Sequence, residues 1–431
     1  MKRISLRIIT LLFFTLRFSA QSTFPTNGAP FNTHSIYAFT NATVYIDFET
    51  IIKKGTLLIQ DGKVLNVGEK VDLPKNAIVY DLKGKFIYPS FIDLYSDYGV
   101  SETRSVSTGG HRPAGAPQME SNVKGAYGWN QAIKSDYEAH KFFVLNKDKA
   151  EELKKIGFGT VLSSHKDGIV RGSGVLVNLN NKNENESIIL DKAAGFYSFS
   201  KGSSTQDYPS SLTGSIALLR QTYYDAIWYA QNKNKTEYNI SLEAFNKIKD
   251  LPTIFEANDK YNATRAAKIG KEFNVKYIIK AGGNEYQRIN DIKETYLKYI
   301  VPLNFPIAYD VEDPFDAEAV SLAELKHWEL APTNPAAFEK NFIQFCLTSA
   351  DLKDKSQFLT NLRKAVKHGL SEKTALKALT LNPAMFINMQ DKMGALKKEY
   401  TANFFISNRS IFDNEAIIMQ NWSAGEPTVF S

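Results

Sequence analysis

Two hydrophobic rhythms divide the chain. Between residues 37 and 80, apolar positions fall in short β-prone runs separated by turns: Ala42–Ile46, Gly55–Ile59 and Val64–Val67. Asp61-Gly62 separates the last two, and an Asp-Gly pair between β-prone runs is the signature of a tight hairpin. From residue 241 the rhythm changes. Helix Leu242–Lys249 leads to strand Thr253–Ala257, and helix Lys260–Phe273 to strand Val275–Ile279. A helix over 290–299 leads to a strand over 305–309, and helical pieces within 317–340 lead to strand Phe342–Leu347. Helices Gln357–His368 and Glu372–Leu379 follow. Strand–helix repetition at this spacing predicts parallel βα units.

The middle of the chain is less regular. Helix Asp148–Ile156 runs into a buried strand, Gly157–Leu162, with His165 just beyond it. Arg171-Gly172-Ser173-Gly174 lacks the strand-then-helix setting of a dinucleotide fingerprint. Residues Asn178 to Glu186 form an Asn-rich polar loop. Leu212, Ile216, Leu219, Tyr223 and Ile227 share one face of a helix over 209–231. Residues 100–140 are rich in Gly, Ser and Pro and predict a long loop; His111 and His140 lie there and read as solvated surface residues.

The centre of the pattern is residues 81–99. A polar turn, Asp81–Lys85, is followed by Phe86-Ile87-Tyr88, by Pro89-Ser90, and by the buried strand Phe91-Ile92-Asp93-Leu94. Tyr95, Asp97 and Gly99 stand at its carboxyl end, where barrel enzymes place their chemistry.

This stretch resembles the entry to the catalytic barrel of the amidohydrolase superfamily, the imidazolonepropionase-like and dihydroorotase-like metal hydrolases. Their form is Phe-Ile-Asp-Leu-His-x-His; here it reads Phe91-Ile92-Asp93-Leu94-Tyr95-Ser96-Asp97. The tail resembles the family as well, in Leu376–Ala384 with its Asn382-Pro383-Ala384, in Met393-Gly394-Ala395-Leu396, and in Ala402-Asn403-Phe404-Phe405-Ile406. The resemblance spans about residues 37–422. It implies an α/β fold: a (β/α)8 TIM-like barrel over 86–391, with a small composite β-sandwich from 37–85 and 392–431.

The family holds one or two divalent metals, commonly zinc, on a His-x-His of strand one, a Lys or Glu of strand four and histidines of strands five and six; an Asp of strand eight takes a proton from metal-bound water. Neutral imidazole suits zinc, and the metal lowers its water's pKa toward neutrality. Here the corresponding positions carry Tyr95 and Asp97, then Glu256, then Lys280-Ala281-Gly282-Gly283, and Ser349-Ala350-Asp351. Two readings stay open. Asp97 and Glu256 act as metal ligands and Asp351 as the catalytic carboxylate, with magnesium or calcium suiting an all-oxygen set, and the protein hydrolyses C–N bonds of amides, cyclic amides or peptides. Alternatively these carboxylates are hydrogen-bonded remnants, the mouth is plugged by aromatics such as Tyr95 and Tyr98, and the domain binds a small amide or peptide-like ligand or supports a catalytic amidohydrolase domain, a partner chain or another copy of itself.

Charge and cysteine content change the picture only at the N-terminus. The formal charge is +6, but Lys2, Arg3, Arg7 and Arg17 supply four positive charges to the first 20 residues, leaving 6 − 4 = +2 for the remainder. No nucleic-acid partner follows from that balance. A basic head and the apolar run Ile8–Leu16 read as a signal peptide over 1–22, with cleavage after Ser22 fitting small-x-small spacing. The expected location is periplasmic or extracellular, with no membrane span after removal of the signal. The single cysteine, Cys346, lies in an apolar run and reads as a small buried hydrophobe.

Overall fold

The computed structural model describes residues 35–100, 118–121 and 130–430. The signal segment, its cleavage points and His111 lie outside the described residues. Five N-terminal strands come first: β1 (Ile36–Tyr45), β2 (Ile51–Gln60), β3 (Lys63–Gly68), β4 (Ile78–Asp81) and β5 (Phe86–Pro89). The Asp61-Gly62 hairpin joins β2 to β3 as expected, with Asp61 and Gly62 both at positive φ, 51° and 75°. Eight strands of a second sheet follow: β6 (Phe91–Ser96), β7 (Phe158–Ser163), β8 (Val170–Asn178), β9 (Ile188–Ser198), β10 (Thr253–Glu256), β11 (Ile278–Lys280), β12 (Lys298–Pro302) and β13 (Phe345–Thr348). The chain closes with β14 (Phe404–Ser407), β15 (Ile418–Ser423) and β16 (Glu426–Val429).

The first sheet is composite. β14 pairs antiparallel with β5 and carries β15 and β16 outward, so both ends of the described chain build one eight-stranded sheet. Its apolar face packs Phe39, Leu57, Ile59, Phe404 and Trp422, and the last two rings stack at 5.6 Å and 8°. Aromatic contacts of this kind add about 0.5 to 1.5 kcal/mol beyond the area they bury. Two buried asparagines join this sheet to the second: Asn421 donates to the carbonyls of Lys154 and Phe158, and Asn403 to Thr160 and Asn178.

The second sheet runs in chain order from β6 to β13. It is nearly closed, because the Asp93 carboxylate of β6 accepts from Thr348 and Ser349 at the end of β13. Its interior is filled by Ile92, Leu94, Leu162, Leu176, Ile254 and Cys346, all buried. The thiol of Cys346 is pushed well above its usual pKa by burial, as befits a packing residue.

Two features depart from the expected strand–helix alternation. β8 runs antiparallel to both β7 and β9, so a β-meander replaces one βα unit. Gly174 permits it: a Cβ there would lie 2.5 Å from the Phe196 ring and 2.9 Å from the Ser163 carbonyl oxygen. The second departure corrects the expected strand over 305–309. The helix there covers only Ile289–Lys293 and the strand is β12, at Lys298–Pro302. Tyr299, Ile300 and Val301 are fully buried whereas Ile307 is 87% exposed; the aromatic and β-branched trio wins the sheet position. The expected helical pieces within 317–340 appear as Pro314–Ala319, Leu322–Leu330 and Asn334–Lys340.

Candidate functional site

The rim at the carboxyl ends of the parallel strands collects the polar side chains. Tyr95 ends β6, Glu256 ends β10, Lys280 ends β11, and Asp351 follows β13. Arg171 joins them because β8 is reversed: its start, not its end, lies at this rim.

Arg171 is the hub. Its Nε donates to the Gly168 carbonyl at 3.0 Å, one terminal nitrogen to the Tyr95 hydroxyl at 2.9 Å, and the other to Glu256 Oε2 at 2.7 Å. Its side chain is only 3% exposed and that of Glu256 14%. Burial alone would raise the Glu256 pKa, but the charges of Arg171 and Lys280 hold it below the usual carboxylate range. Burial pushes the Tyr95 phenol well above its ordinary pKa of 10.0, so it stays neutral. Lys280, fully buried, pairs with Asp351 and also donates to Asn258 at 3.3 Å. The Tyr95 ring has the Lys166 and Lys280 ammonium groups 4.9 and 5.7 Å from its centre.

The carboxylates named from the sequence are distributed as follows. Asp97 reaches Lys166 at 3.6 Å, and with Asp351 it lines a cavity of about 410 Å³. Glu256 faces a different cavity of about 430 Å³, beside Ser198, Phe199, Lys201 and Asn258. His165 is buried against Tyr137, ring centres 4.4 Å apart, and burial lowers its pKa, which favours the neutral ring. His140 lies 3.7 Å from Glu138 at the far end of the loop. Tyr98 is buried against Phe143.

Sequence reasoning missed the two cations. Arg171 was visible only as part of a Gly-rich run. Lys280, a lysine ending the apolar strand Ile278-Ile279, carried a usable signal, since a buried lysine requires a partner.

Residues 230–429 match the amidohydrolase family. That match covers a little under half of the chain. A solved amidohydrolase from Thermotoga maritima MSB8 superposes with a TM-score of 0.70 at 20% identity, over 92% of this chain and 100% of that one. A prolidase complexed with N-methylphosphonate-L-proline gives 0.51 at 13% identity, over 92% and 100%. A β-aspartyl dipeptidase from Fervidobacterium islandicum AW-1, in complex with a β-Asp-Leu dipeptide, gives 0.50 at 14%, over 93% and 97%. No curated protein matches.

The donor set at this rim does not fit the divalent metal that the family resemblance implies. Among the described residues no group of three or more His, Cys, Asp or Glu could hold an ion. Glu256 and Asp351 are already neutralised by Arg171 and Lys280. A dication ~5 Å from either fixed cation would be repelled by about 7 kcal/mol at an effective dielectric constant of 20.

Proposed function

We propose that this chain is an exported amidohydrolase-superfamily domain that binds a small ligand at its barrel mouth without metal-assisted hydrolysis. The observation that carries the reading is the pair of buried cations, Arg171 and Lys280, which take up the carboxylates a metal would need. The ion pairs serve as fixed scaffolding: Arg171 orients Tyr95 and Glu256 through three hydrogen-bonding nitrogens, a planar fork that lysine cannot supply. The neighbours solved with a proline phosphonate and with a dipeptide favour a small amide or peptide-like ligand class. In this reading the degenerate metal motif at Tyr95 and Asp97 reflects a shift from chemistry to binding or to support of a catalytic partner.

Elemental analysis of the purified protein, incubated with zinc, manganese or magnesium and set beside an Asp97→Ala/Glu256→Ala double variant, tests this. The expected result is substoichiometric metal in both, and no turnover of cyclic amides or dipeptides. Stoichiometric metal that the double variant loses would overturn the reading. N-terminal sequencing of the secreted protein tests export, with a mature start at Thr23 expected.

A further inference from the structure

The cavity that contains Asp97 carries more positive charge than its own carboxylates absorb. Four lysines line it, Lys149, Lys166, Lys353 and Lys355, against three acids, Asp97, Glu152 and Asp351. Two of those acids are committed: Asp97 to Lys166 and Asp351 to the buried Lys280 behind the wall. Within the lining, Lys149, Lys353 and Lys355 then have Glu152 as the one uncommitted carboxylate, and the buried Asp93 behind the wall also acts on Lys355, which leaves the cavity net positive. None of these three ammonium groups has a described carboxylate within ion-pair distance. Lys355 is half-buried and donates to the Ser349 carbonyl at 2.6 Å, which holds its head at the cavity wall. Burial pushes its ammonium below the usual lysine range, so an anion there would relieve an existing strain on the charged form. Burial would raise the Asp97 pKa, yet Lys166, a backbone hydrogen bond, Lys355 and Lys149 together bring it below the usual range, which marks the positive field of this lining.

We propose that this cavity is a binding site for a compact polyvalent oxyanion, a di- or tricarboxylate or a phosphate, held by Lys149, Lys353 and Lys355. The inference rests on the reading of the mouth as a metal-free ligand site and names the chemistry of its ligand. The volume, about 410 Å³, accommodates a molecule of citrate size and falls within the usual range of small-molecule sites. The recognition is by point charges, not by a planar fork, so it selects for charge more than for shape.

The experiment is calorimetric titration of the mature protein with citrate and with inorganic phosphate, and with the neutral triamide of citrate as control. The expected result is one-to-one binding of citrate or phosphate that weakens with salt, and none of the triamide. Lys149→Ala and Lys353→Ala alter exposed side chains; together they are expected to weaken binding at least tenfold. Lys63→Ala, on the composite sheet, is expected to leave it unchanged. Preference for citrate identifies a carboxylate ligand and preference for phosphate a phosphorylated one. Absence of heat with both anions at millimolar concentration, or equal loss in the Lys63→Ala control, would overturn the site. Metal analysis of the same sample separates the failures: a metal-free protein that binds neither anion sinks this inference alone, whereas a metal-loaded one sinks the reading beneath it.

Discussion

The Asp93 carboxylate accepts from both the backbone N–H and the hydroxyl of Ser349, at 2.9 and 2.8 Å, across 256 residues of chain. It also accepts from Thr348 and from the Tyr95 N–H. One fully buried side chain thus bridges the first and last strands of the barrel sheet while fixing the backbone that aims Tyr95 into the mouth. Replacing Asp93 by Ala strands at least two buried donors. Hydrogen bonds to charged groups contribute about 1.5 to 3 kcal/mol each, so Asp93→Ala is expected to lower stability by about 3 kcal/mol or more, read from the urea midpoint.

Arg171 and Glu256 are coupled in the same way at the rim. Removing one partner of a buried pair costs about 3 to 5 kcal/mol because the other charge stays unpaired. Arg171→Met should therefore destabilise more than the Arg171→Met/Glu256→Leu double variant. A double variant as unstable as the sum of the singles would show that the pair is not coupled.

Asp167 supplies a pH-dependent term. Burial would raise its pKa, but the Lys134 ammonium together with the Ser203 hydroxyl and N–H lowers it to about 2. A folded pKa below the unfolded value means the unfolded chain binds more protons between the two. Stability from this group is complete above the unfolded pKa of about 4 and is lost as pH falls through 2. Asp167→Asn should cost about 2 to 3 kcal/mol at pH 7, on the scale of a carboxylate shifted this far. The gap between variant and parent should narrow steadily below pH 4 in thermal melts.

Gly172 occupies φ +74°, and a Cβ there would sit 1.9 Å from the Tyr137 carbonyl oxygen. Neither the backbone strain nor the clash can be relieved by rotating a side chain. Gly172→Ala is expected to displace the Tyr137 loop from β8 and to lower the melting temperature by more than 5 °C, whereas Gly84→Ala, which meets nothing within 4 Å, suffers only the strain of its φ of +77°.

Legibility in the sequence followed the physics of each element. The parallel βα units after residue 241 were readable because amphipathic helices and buried strands differ in period. β8 was not, because Gly172 and Gly174 suppress strand propensity and are tolerated only through close packing that the linear pattern does not display. The strand at 298–302 straddles the end of the expected helix over 290–299 and the gap before the expected strand over 305–309, because Tyr299-Ile300-Val301 is a short apolar run that either period accepts. At the rim, positions Tyr95, Asp97, Glu256 and Asp351 could be placed on strand ends from motifs alone. Their partners could not, since Arg171 reaches the rim only through strand reversal, and pairings such as Lys280 with Asp351 cross 71 residues.

The composite sheet imposes an order of events on synthesis. β5 ends at Pro89 and its partner β14 begins at Phe404. At about 5 to 20 residues per second, the ribosome needs about 15 to 60 s to make the intervening chain. Throughout that interval one edge of β5 lacks its strand, and an open edge recruits whatever β-prone chain is near. Completion of the fold is therefore tied to the arrival of the last 30 or so residues, and a nascent or C-terminally clipped chain is the form most in need of a chaperone.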